Sequence, residues 1–247
     1  MSNVLIDQSI MEMWADTVRE KTGTLDTMKP SVLLQKTQNE WVSGGGNDYI
    51  NPFEYVTGFE YLFSNAVFPS GTEYTLNVPN FKEGSNRVFR YAEGVKKIIL
   101  KGNQNDIEIS LQYAFQQRTT TELEEIDFSE WGRDGIKVSY LNNAFSDAIK
   151  LHTIRGLFDF TKVMNVNSAF SNTPALVNIF FKHNTLSKGI SLVNSPLLSA
   201  ESIQSIIDGL ADLTGQTSQT LTLHATVKAK LTEAQIAQIT SKNWTLA

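Results

Sequence analysis

The chain contains no cysteine, which excludes disulfides, thiolate zinc sites and cysteine nucleophiles. It also lacks any stretch approaching about 18 uninterrupted apolar residues, the length a membrane-spanning helix needs. The opening MSNVLIDQSIMEMWADTVREK has no basic start, apolar run and cleavage site, so neither general secretory export nor membrane insertion is expected. Positive charge is scarce: 21 Lys and Arg stand against 26 Asp and Glu, a net −5. That leaves no broad positive field, and no nucleic-acid partner is expected.

Catalytic groups are equally sparse. The histidines are His152, His183 and His224, and no pair stands at the i, i+4 spacing of helix-borne metal ligands. Glu124, Glu125, Asp127, Glu130 and Asp134 form the densest carboxylate group. No glycine-centred calcium loop surrounds them, and glycosidase chemistry would need an enclosing cleft, so they read as an acidic solvent face. GGGND after Trp41 lacks the lysine of a phosphate-binding loop, and no G-x-S-x-G elbow is present. A non-enzymatic protein with no cofactor and no metal is expected.

What the chain does have is a repeat. Phe89, Phe115, Phe145 and Phe170 recur at intervals of 26, 30 and 25 residues, Leu197 continues the column, and Phe63 begins it. Downstream of these anchors stand Val95, Ile98 and Leu100; Leu123, Ile126 and Phe128; Leu151 and Ile154; Leu176, Ile179 and Phe181. Gly156 breaks the third column of its set. Upstream lie Val138 and Leu141, Val163 and Val166, then Ile190 and Val193, and an i, i+3, i+7 spacing predicts one face of a helix. Each unit therefore reads as a short helix or helical turn ending near the phenylalanine, a small polar loop, and a short strand, with Tyr74, Leu76 and Val78 as the strand of the first. A single unit cannot bury its apolar side alone, so units must stack, strand beside strand at roughly 4.8 Å.

At residues 158–176, FDFTKVMNVNSAFSNTPAL, this pattern resembles the BspA-like leucine-rich repeats, whose units carry F-D-T-S-x-V-T-N-M-x-x-M-F-x-x-C-x-x-L. Val163, Asn165, Phe170 and Leu176 match, while Ala175 and its neighbours carry no cysteine. The resemblance covers about residues 59–198. It implies an α/β fold, a leucine-rich-repeat-like solenoid of about five units, with a binding or scaffolding role.

The ends read differently. SAESIQSIIDGLADL predicts a helix starting at Ser199 or Ala200 with Ile203, Ile206, Ile207 and Leu210 on one face. TLTLH predicts a strand, LTEAQIAQI a second helix capped by Thr232, and NWTLA a closing strand. At the other end, Ile6, Ile10, Met13, Trp14 and Val18 form an apolar stripe, and SGGG at 43–46 reads as a joint. That stripe either packs on the chain's own repeats or serves as a docking and oligomerising helix. The expected organisation is an N-terminal helical docking segment and linker over 1–46, repeats over 47–198, and a small α/β cap over 199–247. Nine aromatics between Trp41 and Tyr74 either pack as a cap on the first repeat or form a binding platform.

The tail from Ser205 onward resembles the ending of repeat proteins encoded by tailed phages and prophages of Gram-positive bacteria. WADTVREKTGTLDTMKP is similar to a leader found on many phage-encoded proteins. These resemblances imply a virion structural protein of the tail, baseplate or fibre, assembled in the host cytoplasm, self-associating and contacting other virion proteins. The alternatives are a module recognising a host surface protein or wall glycan, and a bacterial BspA-like surface adhesin. The recognition face would be the outward strand residues Lys97, Ile99, Glu125, Asp127, Thr153, Arg155, Asn178 and Phe180; Lys97 is also placed to face Glu125 across adjacent strands.

Overall fold

The apolar columns downstream of each phenylalanine alternate with polar residues, and that period of two makes strands. A computed structural model describes residues 60–82, 85–118 and 121–247. Its elements are β1 (Val67–Val78), β2 (Glu93–Gly102), β3 (Ile109–Ser110), β4 (Glu125–Trp131), β5 (Ile136–Tyr140), β6 (Thr153–Asp159), β7 (Asn178–Phe181), β8 (Ile190–Leu192), α1 (Ala200–Gly209), β9 (Gln219–Leu223), α2 (Ala225–Lys228), α3 (Glu233–Ser241) and β10 (Trp244–Leu246).

Seven strands form one sheet in the order β1-β2-β4-β6-β5-β3, with β7 also on β6. Every pairing is parallel. The register sets Ile98 beside Ile126 and Ile126 beside Ile154, so the columns counted in the sequence are rows in space. All of Val95, Ile98, Leu100, Leu123, Ile126, Phe128, Leu151, Ile154, Leu176, Ile179 and Phe181 are buried. Inside the curl the anchor rings stack: Phe63 on Phe89 at 5.0 Å, Phe89 on Phe115 at 6.0 Å, Phe115 on Phe145 at 5.7 Å, and Phe145 on Phe170 at 5.4 Å between centroids.

The expected α/β leucine-rich-repeat-like solenoid is corrected. The described residues form a mostly parallel β-sheet curled into a half-barrel, with few helices among them and none before Ala200. Where helical turns were expected, the chain makes overlapping β-turns: Leu141, Asn143 and Phe145 carbonyls accept from the amides of Ala144, Ser146 and Ala148. Asn143 and Asp147 stand at positive φ on either side of Phe145, as do Tyr61 and Asn65 around Phe63, Arg87 and Tyr91 around Phe89, and Ser168 and Asn172 around Phe170. A left-handed residue every fourth position is incompatible with a right-handed helix and fits the third position of a type II turn. Apolar spacing of three and four suits both conformations, which is why periodicity alone pointed to helices.

Amides left free by these turns bond to the next unit. The N–H groups of Phe63, Phe89, Phe115 and Phe145 donate to the carbonyls of Val88, Ala114, Ala144 and Ala169 at 2.7–3.0 Å. The turns thus form their own parallel ladder opposite the strands, and the alanines just before Phe115, Phe145 and Phe170 let those turns approach closely.

Two further expectations are corrected. Val138, assigned to a helical face, lies in β5, paired with Ile109 of β3. Leu197 does not continue the ring column: it is exposed, as is Val193, whereas Leu192 is fully buried. The bonds Asn172–Asn194 and Thr173–Ser195 share an offset of 22 residues, which makes Leu192 the counterpart of Phe170. Gly156 interrupts its column for a steric reason. There β6 passes from pairing with β4 to pairing with β5, and a Cβ would stand 3.0 Å from both Phe128 Cβ and Ile136 Cδ1.

The C-terminal elements form as expected. Ser199 caps α1 by accepting from Ser202 N–H, Thr232 and Gln235 form a capping box on α3, and β10-β9-β8 make a small parallel sheet. Helix α1 ends at Gly209, earlier than Leu213. Its last carbonyls are held from outside, because Lys242 Nζ donates to Ile207, Asp208 and Leu210 oxygens at 3.2, 3.1 and 2.7 Å.

Candidate functional site

The residues expected to form a recognition face on β2, β4, β6 and β7 stand in rows across the strands. Lys97, Glu125, Thr153 and Asn178 make one; Ile99, Asp127 and Arg155 make the next. Neighbours satisfy one another: Lys97 Nζ lies 3.0 Å from Glu125 Oε1, to which Arg155 Nε also donates at 2.7 Å. Burial pushes the Glu125 carboxyl up, but the bonds from Arg155 and Lys97 outweigh it and hold the group below its ordinary value. Thr153 is buried and joined to His152 and Asn178. Asp127 Oδ1 accepts from Ser129 N–H. Glu124 and Glu130 pair with Lys96 and Lys101, so much of this carboxylate group answers the lysines of β2.

Phe180, at the end of this face, belongs to a different surface. It pairs in register with Leu157, which is 41% exposed. The two line an open groove of about 410 Å³ whose walls include Phe128, Trp131, Arg133 and Ser205. Phe128 and Trp131 are buried while Arg133 is exposed, so the groove lining combines apolar rings with a solvent-exposed cation.

A third surface lies on the turn side, where the ladder brings Tyr61, Arg87 and Tyr113 together from three successive turns. The Arg87 guanidinium stands 5.1 Å from the Tyr61 ring centre and 5.0 Å from that of Tyr113. Arg90 lies over Tyr91 at 4.4 Å and Tyr113 at 5.2 Å, and Arg118 over Tyr91 at 4.8 Å. Hydrogen bonds orient the cations: Arg87 to the Tyr61 hydroxyl, Arg90 to Gln116 and the Tyr91 hydroxyl, Arg118 to Asn65. Three of the chain's six arginines gather here. Among the described residues, Glu93 lies 3.7 Å from Arg118, and Glu60 accepts from Asn86 beside Arg87 in the chain. Sequence reading missed this patch. Its trace was the position two residues before each anchor, occupied by Tyr61, Arg87 and Tyr113.

The stripe Ile6, Ile10, Met13, Trp14 and Val18 lies outside the described residues, as does the aromatic run up to Phe59. Of the remaining aromatics there, Phe63, Phe68 and Tyr74 pack on one another and on Phe89, while Tyr61 joins the arginine patch. His183 is exposed, and His224 caps α2 by accepting from Thr226 N–H. Among the described residues no cluster of three or more His, Asp or Glu side chains could hold a metal, and no helix is long and apolar enough to cross a membrane. No protein-family model matches the chain, and comparison with curated proteins and with solved structures gives no significant similarity.

Proposed function

We propose that the chain is a non-enzymatic structural protein of a tailed-phage particle, associated with the tail, baseplate or fibre, which acts by protein–protein contact. The phage setting is supported by the resemblance of both terminal segments to phage-encoded proteins. The structural observation that carries the contact role is the groove where Leu157 and Phe180 stand side by side above Phe128 and Trp131. Interface cores are enriched in large apolar and aromatic groups, with arginine beside them, and that composition is present here on a rigid sheet. Another virion protein or a second copy of the chain would seat an apolar side chain between Leu157 and Phe180. The stripe Ile6 to Val18 would add a second contact.

Mass spectrometry of purified particles from the strain carrying the gene tests this reading. The chain is expected at structural stoichiometry, and particles that lack it while the protein accumulates free in the lysate overturn the proposal.

Recognition of the host surface is a second reading, favoured by a different observation: the tyrosine–arginine patch, whose residue types suit contact with ligands rather than with the chain's own core.

A further inference from the structure

The turn face around Arg87 is organised well beyond what the fold needs. Five cation–π contacts hold three guanidinium planes against three tyrosine rings. Each is worth about 0.5–1 kcal/mol at an exposed site, enough to restrain the side chains. A ligand binding here avoids part of the roughly 0.5–1.5 kcal/mol needed to immobilise each long side chain. Among the described residues the donors are not used up: Arg87 gives one bond, to the Tyr61 hydroxyl, and Arg90 two, out of five N–H groups each. Tyr61 is 41% exposed and Arg118 is exposed.

Three features narrow the ligand. Three cations against Glu93 and Glu60 call for negative charge. Tyrosine faces and planar guanidinium groups call for flat or ring-shaped units that can stack. The patch also runs in a straight line over three turns, about 10 Å at the usual spacing of parallel rungs, which calls for a linear polymer of constant repeat. Its surroundings are the amides of Asn65, Asn86 and Gln116 and not the apolar core that marks a protein interface. The net charge of −5 gives no broad attraction to any polyanion, so binding here rests on the local contacts of the patch, and the oligonucleotide comparison below separates a nucleic acid from a polysaccharide.

We propose that this patch binds an anionic polysaccharide. Its sugar rings lie against Tyr61, Tyr91 and Tyr113, its carboxylates or phosphates meet the free N–H groups of Arg87, Arg90 and Arg118, and its hydroxyls bond the neighbouring amides. The inference rests on the host-surface reading and names its ligand class.

Affinity electrophoresis of the full chain tests it with polygalacturonate and phosphorylated dextran as the carboxylated and phosphorylated probes. Neutral dextran, poly-L-glutamate and a thymidine oligonucleotide serve as comparisons. Retardation is expected by at least one anionic polysaccharide, with poly-L-glutamate and the oligonucleotide ~tenfold weaker or more, a gap of about 1.4 kcal/mol. Arg118→Gln, at an exposed position, and Arg90→Lys, which keeps charge but loses the planar stack, are each expected to weaken retardation several-fold with little change in melting temperature. Equal retardation by all polyanions, retardation by neither polysaccharide, or variants that bind as the parent does would overturn the proposal. Adsorption to host cells is scored separately. Adsorption without polysaccharide binding removes this site alone, and polysaccharide binding without adsorption removes the host-surface reading alone.

Discussion

The rings of Phe115 and Phe145, thirty residues apart in the chain, lie with centroids 5.7 Å apart and planes 7° from parallel. Both are fully buried, and each is fastened by a backbone bond from its own amide to the next turn. The rings therefore form part of a continuous column, in which each one fills the space above its neighbour.

Removing a central ring should be felt along the column. Phe145→Ala is expected to cost about 3–5 kcal/mol and to lower the melting temperature sharply, whereas Phe145→Leu should cost less because it leaves a smaller cavity. Thermal or urea denaturation followed by circular dichroism measures both, and equal small losses would show that the column is not a structural spine.

Leu157→Glu and Phe180→Glu place a carboxylate in the groove. Leu157 is exposed and a surface change there should alter stability by about 0.5 kcal/mol or less. Incorporation into particles should fall for both variants, scored by mass spectrometry of purified virions against the parent chain, and normal incorporation of both would remove the groove from assembly.

Acid should weaken the sheet. Burial raises the Asp159 carboxyl, but bonds from the Thr161 hydroxyl and amide and from Lys182 outweigh it, leaving the group below its ordinary 3.8; Glu125 likewise lies below 4.5. For a carboxylate whose folded-state pKa is depressed, stabilisation is complete above the unfolded value and is lost as pH falls through the folded one. Stability should therefore hold from neutrality to about pH 5 and decline below it. In Asp159→Asn the decline should be shallower, as read from denaturation midpoints across that range.

Lys242 closes the end of α1 by donating to three carbonyls. Lys242→Met keeps the aliphatic stem and removes the donors, with an expected loss of roughly 1–3 kcal/mol for unsatisfied oxygens. Hydrogen exchange should show the last turn of α1 opening first.

Two glycines separate strain from crowding. Both have positive φ, +79° at Gly71 and +108° at Gly156, but a Cβ at Gly71 meets nothing within 4 Å. Gly71→Ala should cost only the backbone strain, about 1–2 kcal/mol. Gly156→Ala adds roughly 1–3 kcal/mol of overpacking against Phe128 and Ile136, so its denaturation midpoint should fall further.

The burial columns and the C-terminal caps were legible in the linear sequence because both are local: a residue two or four places along a strand shares its face, and Ser199 or Thr232 caps a helix whose first turn follows it directly. Phe89, Phe115, Phe145 and Phe170 could be aligned by counting for the same reason, since each rung is a nearly self-contained length of chain. Three features required the folded molecule. The backbone between rungs is a run of turns and not a helix, because bonds to the neighbouring turn satisfy amides that would otherwise need a helical partner. The strand order inserts β5 beside β6, and Leu192 replaces Leu197 at the end of the column, because register is set by packing against residues far away in the chain. The meeting of Tyr61, Arg87 and Tyr113 likewise depends on three turns lying one upon another, an adjacency that arises only once long-range pairing has brought distant segments into contact.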